Sequence, residues 1–469
     1  MKREKFSTVL INPRYQISHQ PPLGLAYIAS YLKAGKDNKI HIIDTTFEKL
    51  ETKLNSVEKP DIFGIYIMTP YYERSVKTIK ILRKKFPSVP IIAGGPHPSV
   101  DPEGTLEKLK INACVRGEGE RTFSEIINSI KESKNMSDIH GVSFKETPSG
   151  KIRHNPNCDP IPDLDNLPFP ARNLLPMEDY LRGGTQKVFS YSKIRTTTMI
   201  TSRGCFFNCA YCQPTLDSIF SKKVRFRSVG NVIEEIKQLI TDYSVEGILF
   251  ADDTFTCNKK FVIQLCEEIL HRKIKIKFAI NSRVDTVDKE MLIMLKRAGV
   301  VTIMYGVESG SQKVLDNIKK RTKVEDIKRA VRITKEQNIN VYGYFIIGTP
   351  EESVSSLKDT FSLLLRLPFD EVQFSIAAPY FGTYLYESAV SSGLIEDISA
   401  MEKDGYFSSV VMRSKYLSSR SIKRFYKYFD ILSKYKSIKN IVLKYPTAIS
   451  SILLNKIFPV WLGKRREIR

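Results

Sequence analysis

Compact apolar runs and longer amphipathic stretches alternate from the start of the chain. STVLIN, KIHIID, DIFGIYI, VPIIAGG and NACVRGE each have the length of a buried strand. Between them PPLGLAYIASYLKA, FEKLETKL, YERSVKTIKILRKKF and EGTLEKLK repeat apolar residues at helical spacing, with Leu25, Ile28, Ala29 and Leu32 on one face of the first. ERTFSEIINSIKES closes the series. Five strands alternating with helices predict an α/β unit over residues 1–145, an open parallel sheet with helices on both faces. Such sheets bind ligands beyond the C-terminal ends of their strands. Here those ends carry Gly or Pro: NPRYQISHQPP, MTPYY, GGPHP and RGEGE.

The pattern then breaks. Pro156, Pro160, Pro162, Pro168, Pro170 and Pro176 interrupt any regular element, so residues 146–195 read as a semi-rigid connector. Leu164, Leu167, Phe169 and Leu174 within it ask for burial against a domain face. From residue 196 the alternation resumes with a longer period. TTTMITSR, EGILFADD, IKFAINSR, VTIMYGVES, NVYGYFIIG and EVQFSIAAP are six strands separated by helices, which predicts a partial or closed (β/α)6 barrel over 196–385. Residues 386–469 lose the alternation and read as helical.

Composition changes this picture in one place. The 42% hydrophobic and 26% charged residues are ordinary for a globular protein, but the net charge is +22. Residues 412–469 hold fifteen Lys and Arg against only Asp430 and Glu467, so most of the charge sits in one tail. There RSIKRFYKYFDILSKYKSIKNIVLKY interleaves basic and aromatic residues, and Trp461 and a terminal basic cluster follow. Three readings stay open: a helical cap on the barrel, contact with an anionic membrane surface, and nucleic-acid binding. The last is disfavoured because no nucleic-acid motif accompanies it. No apolar run reaches 18 residues, and the N-terminal apolar run is too short for a signal peptide. Of seven cysteines, Cys114, Cys158, Cys257 and Cys266 stand singly, which suits a reducing compartment. A cytoplasmic protein is expected, with contact at the inner face of the cell membrane as the alternative the tail raises.

The other three cysteines carry the chemistry. TSRGCFFNCAYCQ places Cys205, Cys209 and Cys212 in one loop directly after the first barrel strand. A structural zinc site wants paired ligands, and no second pair or nearby histidine is present. Thiolates also hold iron–sulfur clusters. Three thiolates on a four-iron cluster leave one iron open, and an open metal position is what lets a site bind a reactant.

CFFNCAYC, including Tyr211, resembles the radical S-adenosylmethionine superfamily. The resemblance implies a [4Fe-4S] cluster on Cys205, Cys209 and Cys212. It further implies S-adenosyl-L-methionine on the open iron, a 5′-deoxyadenosyl radical, and a low-potential electron donor such as ferredoxin or flavodoxin. Residue by residue it carries further. Asp252 and Asp253 stand where the family has Gly-Gly-Glu for the amino group, although Asp253 or Thr254 also suits a helix N-cap. Arg283 stands where the carboxylate would be met, with a plain ion pair as the alternative. Glu308 and Ser309 match ribose contacts. Ile346, Gly348 and Glu351 match the pattern near adenine, with Tyr344 where its first Gly belongs, and Tyr380 is a substrate-facing candidate.

The first domain resembles the cobalamin-binding subgroup of the same superfamily through PPLGLAYIASYLK, GGPHPS, RGEGE and LDNLPFPAR. A flavodoxin-like sheet is then expected to hold cobalamin, with Gly94 and Gly95 allowing close backbone approach. His19 lacks the flanking Asp and Gly of a cobalt-ligating motif and His97 reads as a polar loop residue, so no histidine ligand is expected. The implied activity is methylation of an unactivated carbon in a small, hydrophobic or lipid-like substrate. Radical cyclisation or oxidation without methyl transfer is the enzymatic alternative, and a non-catalytic cobalamin or cluster sensor is the alternative of another class. Methylthio transfer is disfavoured, because the remaining cysteines lack the spacing of a second cluster.

Overall fold

The computed structural model describes residues 5–14, 20–35, 38–146, 148–183, 188–189, 194–403 and 409–444, with side chains to residue 435. Its first sheet holds β1 (Phe6–Asn12), β2 (Asn38–Asp44), β3 (Ile62–Tyr66), β4 (Ile91–Gly94), β5 (Ala113–Val115), β6 (Val142–Lys145) and β7 (Ile152–His154). The order is β2-β1-β3-β4-β5-β6-β7, parallel through β5 and antiparallel from there. The five expected strands thus form a flavodoxin-like sheet whose order reverses between β1 and β3. The β6–β7 hairpin was not expected. It extends the sheet past residue 145, into the stretch that Pro and polar residues mark as connector. Leu10, Ile62, Ile92 and Val115 pack under helices Leu23–Ala34 and Gly119–Lys131 on one face. Val9, Ile11, Phe63 and Ile91 fill the other.

The second sheet holds β8 (Thr196–Met199), β11 (Gly247–Phe250), β12 (Lys277–Ser282), β13 (Val300–Glu308), β14 (Asn340–Ile347) and β15 (Glu371–Ile376), all parallel in the order β15-β14-β13-β12-β11-β8. Its end strands β8 and β15 do not pair, so the barrel is an open, curled half. A two-stranded antiparallel ribbon of β9 (Ser202–Arg203) and β10 (Arg225–Phe226) brackets the cysteine loop. Helices begin where local chemistry starts them. Ser228, Asn258, Asp288 and Ser353 each accept a backbone N–H of the first turn of the helix that follows. Asn258 therefore caps the following helix, and the Thr254 side chain caps none. Near the N-terminal ends of the strands, Phe189 packs with Leu249, Ala279, Met304 and Tyr342 and stoppers the interior.

The connector is ordered by burial. Leu164 and Leu167 pack on Tyr27, and Arg172 lies buried between Glu235 at 2.5 Å and the Thr198 carbonyl at 3.0 Å. Helix Ser419–Lys444 lies on β15, with Ile422 and Phe429 buried and Phe429 4.8 Å from Phe374. This much of the basic tail caps the barrel. Residues 445–469, with Trp461, lie outside the described part, as does His19. No described helix is long and apolar enough to cross a membrane.

Candidate functional site

The cysteine loop runs from the end of β9 into helix Thr215–Phe220. Main-chain bonds fix it: Ala210 N to the Ile318 carbonyl at 2.8 Å, and Leu385 N to the Ala210 carbonyl at 2.8 Å. All three cysteines are free thiols, Cys209 buried and the others half-buried. Burial pushes the thiols of Cys205 and Cys212 up. Arg283 Nη1 donates to Cys209 Sγ at 3.4 Å, and Thr254 Oγ1 lies 3.9 Å from Cys205 Sγ. Among the described residues no three Cys, His, Asp or Glu side chains converge on one ion. Free thiols with an N–H donor on one sulfur are the donor set an iron–sulfur cluster takes.

The strand ends place the other expected residues unevenly. Asp252, 1% exposed, accepts at Oδ1 from Thr201 N at 3.0 Å, Thr201 Oγ1 at 2.9 Å and Ser202 Oγ at 2.5 Å. It ties β11 to the entry of the cysteine loop, while its Oδ2 has no partner. Asp253 lines the central cavity, and desolvation together with Asp252 pushes its carboxyl up to about 6. Glu308 closes β13 across a bulge with φ of 65°, left-handed for a side-chain-bearing residue. Its Oε1 accepts from Tyr211 Oη at 2.8 Å and Lys320 Nζ at 2.7 Å. Ile346 packs against the same apolar cluster as Tyr211.

Three expected contacts point elsewhere. Ser309 bonds Thr360 at 3.2 Å, on the helix behind the sheet. Glu351 pairs with Lys415 at 2.5 Å and Lys313 at 2.9 Å, fastening the segment before the last helix. Gly348, with φ of 87°, lies where any Cβ would stand 2.9 Å from Ile422. Arg283 is also committed, to Asp285 at 2.8 and 2.9 Å and to the Lys320 carbonyl at 2.8 Å. Lys320 was missed altogether. It sits in the basic run NIKKRTK, which reads as a solvated surface, and nothing in that run signals that one lysine is buried.

A cavity of about 680 Å³ separates the two sheets. On one side it reaches Leu10, Gly64 and Gly94, at the switch point between β1 and β3. On the other it reaches Tyr211, Cys212 and Tyr380. Gly94 leaves its wall open, since a Cβ there would meet only Val115, at 3.8 Å. Gly95 differs: at φ of 106° a Cβ would lie 2.8 Å from the Tyr66 ring. His97 turns from the cavity into packing with Tyr72 and Phe381, bonded to Thr69 at 3.0 Å. Burial lowers it to about 4, so it is neutral at pH 7.

RGEGE has a second use. Arg203 donates to Glu118 at 3.1 Å and Glu120 at 2.6 Å, and Arg225 donates to Glu118 at 2.8 and 3.0 Å. All four side chains are buried. This clasp joins the loop after β5 to the ribbon that carries the cysteine loop.

A loop of three free thiols facing a flavodoxin-like ligand site across a shared cavity is the layout of a radical-generating enzyme with a second cofactor. Known proteins agree: residues 199–364 match the Radical SAM superfamily and residues 17–127 match the B12 binding domain. The chain belongs to the cobalamin-binding branch of the radical SAM superfamily. It is 35% identical over 380 residues, 80% of each chain, to the uncharacterized methyltransferase PH0819 of Pyrococcus horikoshii. It is 28% identical to the anaerobic magnesium-protoporphyrin IX monomethyl ester cyclase of Rubrivivax gelatinosus, over 79% of this chain and 68% of that one. Its fold is that of the cobalamin-dependent radical enzyme OxsB, with a TM-score of 0.73 at 19% identity over 94% of this chain and 72% of that one. The cofactors are a [4Fe-4S] cluster, S-adenosylmethionine and cobalamin.

Proposed function

We propose that this enzyme methylates an unactivated carbon of a small, largely apolar substrate. One observation carries the reading: a single cavity has the cobalamin-type sheet on one wall and Tyr211 and Cys212 of the cluster loop on the other. When bound, the cluster with S-adenosylmethionine supplies a hydrogen-abstracting radical, and cobalamin supplies the methyl group. The chain's own residues hold this arrangement. Cys205, Cys209 and Cys212 are the cluster ligands. Gly94 leaves room for the corrinoid, and apolar walls exclude water from the radical. Asp252 holds the loop from beneath and offers its unpartnered Oδ2 to the S-adenosylmethionine amino group. Asp253 completes that pocket, and Glu308 is the group for the ribose. Tyr380, on the loop after β15, faces the substrate. The electron comes from a ferredoxin- or flavodoxin-type donor.

The name of PH0819 supports methyl transfer, and the cyclase relative keeps radical cyclisation as the second reading. Anaerobic reconstitution with dithionite separates the possibilities. Methylation predicts 5′-deoxyadenosine together with S-adenosylhomocysteine on substrate. Deoxyadenosine alone on substrate assigns cyclisation or oxidation, and none at all overturns the enzyme reading.

Contact with an anionic membrane surface is the proposed role of the outer face of helix Ser419–Lys444. Tyr428, Ile431 and Tyr435 are exposed there by 54%, 62% and 63%. Arg424, Lys427 and Lys434 are exposed alongside them, an arrangement that suits an interfacial helix.

A further inference from the structure

Two cations reach the cysteine loop from the barrel, and neither is at the surface. Arg283 follows β12 and Lys320 follows helix Gln312–Asn317; each is 4% exposed. Arg283 holds the cysteine loop at two points. Its Nη1 donates to the Cys209 sulfur at 3.4 Å, and its guanidinium lies over the Phe207 ring at 3.7 Å. Lys320 Nζ holds Glu308 at 2.7 Å and the Tyr211 hydroxyl at 3.0 Å, one residue before Cys212. The Lys320 carbonyl accepts from Arg283 at 2.8 Å, so the two cations form one network. Lys320 Nζ also lies 5.8 Å from the centroid of the Tyr211 ring, so its charge sits against the residue that precedes Cys212.

We propose that Arg283 and Lys320 set the reduction potential of the cluster, Arg283 by its hydrogen bond to the Cys209 sulfur and Lys320 by its buried charge against Tyr211, next in the chain to Cys212. The inference rests on the cluster assignment and gives Arg283 a task other than the S-adenosylmethionine carboxylate. The physical reason is charge. Reduction adds one electron, delivered by the external low-potential donor, to a centre that already carries thiolate charge. An N–H on sulfur and a buried positive charge stabilise the reduced form more than the oxidised one. Asp285 and Glu308 act in the opposite sense, because they offset the charges of Arg283 and Lys320.

The test is an EPR-monitored redox titration of the full-length, anaerobically reconstituted protein without S-adenosylmethionine. Arg283→Gln and Lys320→Met should each lower the midpoint potential at wild-type iron content. Lys320→Arg should restore it, and Asp285→Asn should raise it. If Lys320→Met and Asp285→Asn both titrate at the wild-type potential, the proposal is overturned. It is also overturned for Arg283 if Arg283→Gln keeps the potential and weakens S-adenosylmethionine binding instead. Should Arg283→Gln lose iron, the opposite-signed pair of variants decides. A wild-type chain that takes up no cluster sinks the cofactor assignment itself, which is a different outcome from a cluster whose potential fails to move.

Discussion

Neighbouring residues of similar type do different work here, and the difference predicts distinct phenotypes. Both glycines line the cavity, but a side chain on Gly94 would enter open space whereas one on Gly95 would strike the Tyr66 ring. Gly94→Phe should fold, fill the cofactor space and lose cobalamin binding, read as the absorbance retained after gel filtration. Gly95→Ala should cost stability instead, about 1–3 kcal/mol from backbone strain alone, seen as a lower midpoint in denaturant. Glu351 and Glu352 divide in the same way. Glu351 is paired near the surface, whereas Glu352 is 1% exposed and burial pushes it up to about 7. A carboxyl raised in the folded state binds its proton more tightly there than in the unfolded chain. Its effect therefore lowers stability as pH rises from the unfolded value, about 4.5, towards 7. Glu352→Gln keeps an accepting oxygen for the Ser356 hydroxyl and removes that loss. It should be the more stable protein at pH 8, by up to about 3 kcal/mol, and close to wild type at pH 4.5. Equal pH dependence of the two unfolding curves would show that Glu352 is not the group responsible. The strand-end pattern in the sequence picked out Glu351 and not Glu352, and only the fold shows that Glu352 is the buried one.

At the level of elements, periodicity and turn chemistry made most of the architecture legible. Six barrel strands and five sheet strands follow from apolar runs of the right length, since a buried parallel strand leaves that mark. The β6–β7 hairpin escaped because β7 is three residues long and mostly exposed. The cysteine loop was legible from spacing alone. Its supports were mostly not: Arg283 was marked by its strand end, but Arg203, Arg225 and Lys320 look like surface charge until long-range packing buries them. The clasp is where this matters most. Burial raises the Glu118 carboxyl, and Arg225 and Arg203 more than reverse it, so its net position is lowered. Its stabilisation is thus present above the unfolded value and lost as pH falls through the folded one. Glu118→Ala leaves two buried guanidiniums without their shared partner, at a cost of about 3–5 kcal/mol. Limited proteolysis in the ribbon and loosened cobalamin binding should report it together, and a variant resistant as wild type would remove the clasp from the account.

Over the whole molecule, charge and shape divide. The cavity lies between the sheets, while the concentrated positive charge lies in the last 58 residues, beyond the barrel. If the last helix lies on anionic lipid, full-length protein should float with vesicles containing anionic phospholipid and release at high salt. Replacing Tyr428, Ile431 and Tyr435 with Ser should weaken flotation without unfolding the barrel, since Ile422 and Phe429 remain in place. A chain stopped after Lys444 separates the helix from the residues that follow. Equal flotation of wild type and the triple variant would assign any binding to residues 445–469, and no flotation of wild type would end the membrane reading. The clasp has one more consequence, for recombination between relatives. Its acids belong to the sheet unit and its bases to the ribbon of the barrel, so neither unit is a self-sufficient cassette. A chimera that imports a foreign cobalamin unit without acids matching Arg203 and Arg225 would strand two buried cations beside the cysteine loop. Exchange is expected to succeed only when the junction lies beyond Arg225, so that both halves of the lock travel as one piece.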